Sequence, residues 1–378
     1  WDSGTFGTYA ASEYFLNVFV FFLIFAGIIL DKMGIRFTGL LSASLMVIGA
    51  SIKFVGISEW FQGTGLCAWL DSWWVSFPGS AKMASLGFMI FGCGCEMAGT
   101  TVSKAIAKWF KGKEMALAMG LEMAIARLGV FAVMWLAPMI SNHFDKSVVA
   151  PVAFCTVLLI IGLLCYTVFV YMDRKFDRQL IAAGELKEEK SADEEFHVSD
   201  LKYIFGSKMF WLVALLCVLY YSAIFPFQKY AVNMLQCNLT FTEVPADSFW
   251  GSQSVTYIQY VIMLFVAATA FLFNFMKQKA VKFFVLALSI AGLVTYCYMG
   301  YMRQSAESIF AVFPLLAVGI TPVLGNYVDH KGKAASMLVL GSILLIACHL
   351  TFAFVLPEFK GNQVGGVIVA YLTILVLG

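Results

Sequence analysis

Charged side chains are scarce in this sequence. Asp, Glu, Lys and Arg make up 13% of its 378 residues, against the roughly 25% usual in soluble domains. A surface so poor in charge cannot face water all round, which excludes an ordinary soluble enzyme or binding module. Metal and nucleophile chemistry is equally thin. The four histidines, His143, His197, His330 and His349, are scattered, and no two stand at metal-ligand spacing. None of the nine cysteines forms a Cys-x-x-Cys with histidines nearby, so no zinc or iron–sulfur framework is expected. Catalytic residues, metals, cofactors and a nucleic-acid partner are all expected to be absent.

What the chain does hold is apolar surface. Hydrophobic residues are 61% of the total, with 36 Phe, 15 Tyr and 9 Trp, and the mean hydropathy is +0.84. A membrane helix needs about 20 mostly apolar residues. Eleven runs qualify, the last incomplete: 13–31, 37–56, 83–105, 115–140, 149–172, 209–235, 255–275, 280–302, 308–328, 334–356 and 364–378. They are continuously apolar rather than alternating, so helices and not a barrel are expected. The fold class is an all-α polytopic membrane protein with the lipid bilayer as its solvent. Trp1–Ser12 reads as a polar opening, and Gly378 falls inside an apolar run. Both ends read as cuts in a longer protein.

Basic residues fall in alternate loops. Lys32 and Arg36 lie in the first, Lys108, Lys111 and Lys113 in the third, and Arg174 to Lys208 in the fifth. Lys277 and Lys279 lie in the seventh, and Lys331 and Lys333 in the ninth. Even loops hold at most one each. Cytoplasmic loops collect Lys and Arg, so the odd loops are expected inside. Cys67 and Cys237 then fall on outer loops, which leaves a disulfide between them open. The long polar break is 173–208, a mixed-charge linker. It divides the chain into a bundle at 1–172 and a second at 209–378.

One stretch repeats. Gly27-Ile28-Ile29-Leu30-Asp31-Lys32-Met33-Gly34-Ile35-Arg36 has a later echo in Gly325-Asn326-Tyr327-Val328-Asp329-His330-Lys331-Gly332-Lys333. In each, aspartate follows the first glycine by four residues and a second glycine follows by seven. Gly34 and Gly332 suit a backbone with positive φ. Gly27 and Gly325 suit close helix packing. Asp31 and Asp329 can accept hydrogen bonds from helix N-termini or from arginine, such as Arg36. A gating role for both turns is expected.

The paired turns and the long middle loop resemble the major facilitator superfamily. That resemblance implies two six-helix bundles and transport by alternating access. Helix 1 and helices 11–12 are then expected outside the chain. Three runs precede the second motif where a strict repeat has one fewer pair, so 255–302 reads as an inserted helical pair. Lys108-Trp109-Phe110-Lys111-Gly112-Lys113-Glu114, Ala126-Arg127-Leu128-Gly129 and Phe225-Pro226-Phe227 are similar to a narrower subgroup. It is built around major facilitator superfamily domain-containing protein 1, the lysosomal dipeptide carriers, and their bacterial relatives. This implies short peptides or amino acids as the solute and a bacterial plasma membrane as the location.

A charged side chain at mid-membrane costs about 2.5–3.5 kcal/mol even on lenient scales and faces a cavity or a partner. Glu96 lies ~14 Å from the inner end of its helix and Arg127 ~18 Å from the inner end of the next, at 1.5 Å per residue. Glu96 suits a substrate ammonium and Arg127 a carboxylate; pairing with each other is the equal alternative. Tyr220, Tyr221 and Lys229 join the candidate set, with Lys229 either at an outer gate or snorkelling to water. Glu96 or Glu122 is a candidate proton carrier, and His349 serves either structure or proton coupling. An organic-anion carrier and a non-transporting sensor on a carrier fold stand as alternatives.

The alternation of basic loops has a direct check. On a cysteine-free background, cysteines at Lys111 and Ser191 should react with an impermeant maleimide from one face, and a cysteine at Thr242 from the other. Labelling of all three from a single face would overturn the topology.

Overall fold

A chain in lipid must satisfy every backbone donor and acceptor internally, and helices do this throughout the protein. The computed structural model describes residues 1–73, 77–110, 115–182, 200–245, 247–273, 276, 278–315, 317, 320–321, 324, 327, 331, 334–360 and 363–378. Among these there is no strand. Seven described helices are long and apolar enough to cross a membrane. The chain divides into two compact units, Trp1–Lys111 with Ala137–Lys208, and Gly112–Leu136 with Met209–Gly378.

In the first unit, α1 (Ser3–Phe19) begins ten residues before the expected helix. Asp2 is the reason: its carboxylate caps the helix by accepting from Thr5 N at 2.8 Å. The expected helix 13–31 is interrupted after Val20, where Phe21 adopts φ 53°. Val18 to Phe22 is a run of β-branched and aromatic residues with weak helix propensity. α2 (Phe22–Ile57) then carries the first motif within it, not on a separate turn. Only Gly34 leaves helical geometry, at φ 75° and ψ 174°, a conformation that favours glycine.

Two short helices, α3 (Glu59–Gln62) and α4 (Gly65–Ser72), lead to α5 (Gly79–Trp109). Trp69 and Trp73 stack at 5.5 Å on α4 and its C-cap, as aromatic residues do at a membrane interface. α2 and α5 pack antiparallel through small residues at seven-residue spacing: Ser42 and Gly49 on α2, Gly87 and Gly94 on α5. Seven residues are close to two turns, so each set forms one stripe. The backbones touch there. A Cβ built on Gly87 would lie 2.5 Å from Lys53 N and 2.6 Å from Gly49 O. Such approach replaces the hydrophobic drive that lipid removes. α7 (Val149–Ala182) packs on α2 and continues past 172, so the linker's first ten residues are helical.

In the second unit, most of α6 (Met115–His143) joins α9 (Lys208–Asn238), α10 (Gln253–Phe273), α11 (Lys279–Met302), α12 (Ala306–Phe310), α13 (Ala334–Leu350) and α14 (Gln363–Leu377). The seven-residue α8 (Asp200–Gly206), which belongs to the first unit, precedes α9. α10 and α11 pair with each other. Phe227 sits centrally, with its ring 5.1 Å from Phe352, 5.9 Å from Phe313 and 6.2 Å from Phe310. His349 ties α13 to α9: Nδ1 is 2.9 Å from Leu345 O and Nε2 3.3 Å from Ala223 O.

Two expected helices differ. The run 308–328 begins as the short α12, and the chain turns at 311–314. The run 334–356 is regular only to Leu350, then widens to a π turn at Thr351–Val355 and tightens to 3-10 at Leu356–Phe359. Pro357 explains this, because it has no N–H to continue the ladder and its ring crowds the carbonyl four residues back. All nine cysteines are free thiols, with Cys67 in the first unit and Cys237 in the second.

The glycine contact makes a clear stability prediction. Gly87→Ala should cost about 1–3 kcal/mol by overpacking. Gly162→Ala on α7 is the control, since a Cβ there would meet nothing within 4 Å and replacing a helical glycine gains roughly 1 kcal/mol. Melting temperatures of the two variants should move in opposite directions.

Candidate functional site

The motif-bearing end of the first unit is held by charge. Asp173 on α7 has no exposed side-chain surface. Its Oδ2 accepts from Arg36 Nε at 2.6 Å and from Lys108 Nζ at 3.0 Å. Its Oδ1 accepts from Lys108 Nζ at 2.9 Å and Trp109 Nε1 at 2.9 Å. Asp177, one turn on along the same face of α7, pairs with Arg36 Nη2 and takes Lys108 Nζ at 2.7 Å. Two cations and two carboxylates therefore cancel, and a buried charge that would be costly alone is fully partnered. Trp109 lies flat on Phe176 with ring centroids 4.5 Å apart, shielding one side.

The same end is bound to α2 by two further contacts. Asp31 accepts from Lys104 Nζ at 2.5 Å, so the structure gives Asp31 to Lys104 and Arg36 to α7. Tyr166 donates to Ile35 O at 2.8 Å, beside the break at Gly34. Gly39 leaves room for that tyrosine: a Cβ there would collide with its ring and hydroxyl. Gly27 differs from expectation. A Cβ on it would meet nothing within 4 Å, so the close approaches on α2 occur at Gly39 and Gly49 instead. Gly325, Asp329, Gly332 and Lys333 lie outside the described residues.

Deeper in the first unit, Glu96 lies on the exposed side of α5 with Thr100 one turn on. Glu13 of α1 comes to the same region. Gly92, one turn before Glu96, lets α1 approach; a Cβ there would lie 3.2 Å from Glu13 Cγ. Asn17, one turn beyond Glu13, has both amide atoms buried with no hydrogen-bond partner among the described residues. Arg127 lies half-buried on the part of α6 that belongs to the second unit, and Glu122 on that helix is also half-buried. On α9, Tyr220 and Tyr221 are exposed and meet edge to face at 5.9 Å. Lys229, half-buried, lies three residues beyond Pro226.

Sequence reading missed Asp173, Asp177 and Glu13. Asp173 and Asp177 fell in a loop crowded with charges of both signs. Their four-residue spacing beyond a long apolar run was the available signal. Glu13 stood at the first residue of the expected helix, where a charge needs no explanation; a helix starting at Ser3 puts it well inside.

The cluster predicts the effect of Asp173→Asn. It leaves Arg36 and Lys108 with less than their needed counter-charge, at a cost of about 1–3 kcal/mol. The cost is held down because Arg36 and Lys108 keep 32% and 30% of their side-chain surface exposed. The melting temperature should fall, and a cysteine at Ile35 should become more reactive to maleimide. Unchanged stability and reactivity would show that the cluster does not hold this end closed.

Comparison with known proteins agrees with this architecture. The chain is 25% identical over 343 residues to the Lysosomal dipeptide transporter MFSD1 of Bos taurus, covering 88% of this chain and 54% of that protein. It is 25% identical over 325 residues to its Homo sapiens counterpart, covering 81% and 62%, and 26% identical over 333 residues to that of Mus musculus, covering 83% and 63%. The chain thus spans little more than half the length of these relatives. No solved structure matches it. The profile of the Major Facilitator Superfamily matches residues 1–309, and the chain belongs to that family of membrane transporters.

Proposed function

We propose that the protein carries a small zwitterionic solute, a short peptide or an amino acid, across the membrane by alternating access and catalyses no reaction. The observation that carries this reading is the approach of Glu13 on α1 to the turn of α5 that bears Glu96, two carboxylates among the apolar helices of the first unit. Glu96, with Glu13 beside it, makes an acidic site in the first unit, and Arg127 is a cation in the second. The acidic site suits the ammonium of a free peptide or amino acid, and Arg127 by itself suits a carboxylate, an Arg–carboxylate pair being among the stronger hydrogen-bonded contacts. The relatives named as dipeptide transporters support the same solute class. Tyr220, Tyr221 and Lys229 on α9 are proposed to line the path, where Pro226 loosens the helix.

The Asp31, Arg36, Lys108 and Asp173 contacts are proposed to hold one conformation and to break as the carrier turns over. The second motif, at Gly325, Asp329, Gly332 and Lys333, is proposed to act likewise. The motif-bearing face is proposed to be cytoplasmic, as the basic loops require. A bacterial plasma membrane is the proposed location, although the named relatives are lysosomal. A proton carried by Glu96 or Glu122 is the proposed coupling ion.

Full-length protein in proteoliposomes should take up dipeptides, and a bound dipeptide should raise its melting temperature. Losing a charged hydrogen bond of about 1.5–3 kcal/mol should weaken apparent affinity in Arg127→Ala by at least ~10-fold. Glu96→Gln should lose the thermal shift. Uptake that is unchanged in Arg127→Ala would remove the carboxylate role. Vesicles that never accumulate any peptide would favour the sensor reading.

A further inference from the structure

A second polar site lies in the α10–α11 pair, far along the chain from the residues above. Arg303 caps the end of α11, where a long cationic side chain ordinarily reaches out to water. Here it turns back along the pair. Its Nη1 donates to Gln259 Oε1 at 2.5 Å and its Nη2 to Thr256 Oγ1 at 2.7 Å. Both acceptors are neutral. No ion pair involves Arg303 among the described residues, and the nearby Glu307 accepts instead from Ser305 Oγ at 3.0 Å. The guanidinium is half-buried with no carboxylate in contact with it among the described residues.

Three polar atoms around it are buried without partners among the described residues: Arg303 Nε, Gln259 Nε2 and Tyr371 Oη. Gln259 is 1% exposed and Tyr371, on α14, is 5% exposed. Gly300 brings two of them together. A Cβ there would lie 3.4 Å from Gln259 Nε2 and would collide with the Tyr371 hydroxyl. The orientation of Gln259 follows from chemistry. A guanidinium only donates, so the amide oxygen must face Arg303 and the NH2 is the group left without a partner. Tyr296, the neighbouring phenol, is already engaged, donating to Ser308 O at 3.0 Å.

The open groups are therefore two N–H donors and a phenol, which can donate or accept, beside a positive charge. A water molecule accepts two hydrogen bonds and leaves the charge uncancelled. A small anion can accept from all three and places a negative charge beside the half-buried guanidinium. We propose that Arg303, Gln259 and Tyr371 bind one small monovalent anion, a halide or a carboxylate group, over Gly300. The anion fastens the α10–α11 pair, the pair that reads as an insertion in the sequence, to α14. Nothing in this site depends on the peptide reading.

The test uses the purified full chain in isethionate buffer, a bulky sulfonate, at constant ionic strength, titrated with chloride or acetate. Chloride should give a saturable rise in melting temperature, as a ligand of the folded state does. Tyr371→Phe removes only a hydroxyl that is orphaned when the site is empty. It should match or exceed the native protein in isethionate and lose at least half of the chloride response. Bromide should give an anomalous scattering peak beside Gly300. A response to acetate alone would keep the site and identify its ligand as a carboxylate. Equal melting temperatures in all three anions, a full chloride response in Tyr371→Phe, or an ordered water in place of bromide would each overturn the proposal.

Discussion

One carboxylate with no access to solvent organises the first unit. Asp173 draws a cation from α2, and a cation and an indole from α5, onto one point of α7. In lipid, apolar helices gain little by packing on one another, because the tails are as apolar as the side chains. Helices must be held by close backbone contact or by polar partners that would otherwise be left unsatisfied. The first unit uses both. Glycines bring α2 and α5 together along their lengths, and charges clamp the motif-bearing end.

The division has a mechanical meaning. Contact through glycine stripes is dense and resists change, since any added atom meets backbone. A charged cluster at a helix end is different. Arg36 and Lys108 remain partly exposed, so water can replace each contact as it breaks. A clamp of that kind can open without unfolding its helices.

The second unit follows the same rule with neutral partners. His349 bridges α13 and α9 through carbonyl oxygens, and Arg303 reaches neutral acceptors on α10. The π turn at Thr351–Val355 comes just before Pro357, where one helix cannot continue its ladder. These are the points where the regular helix gives way, and each has a named chemical cause.

The amino-acid sequence by itself determined the class: continuous apolar runs permit only helices in a bilayer, and they place most spans to within a few residues. The motif was legible because glycine and aspartate at fixed spacing have local backbone consequences, seen at Gly34. Helix ends were less legible where a single cap or proline decided them, as at Asp2 and Pro357. The partners of Arg36, Glu96 and Arg303 were decided only by the tertiary structure. Arg36 and Asp173 are 137 residues apart, and Gln259, Arg303 and Tyr371 come from three helices. Periodicity says which residues share a face of one helix. It does not say how that helix is rotated against its neighbours, and in lipid that rotation follows from where the glycines and charges meet.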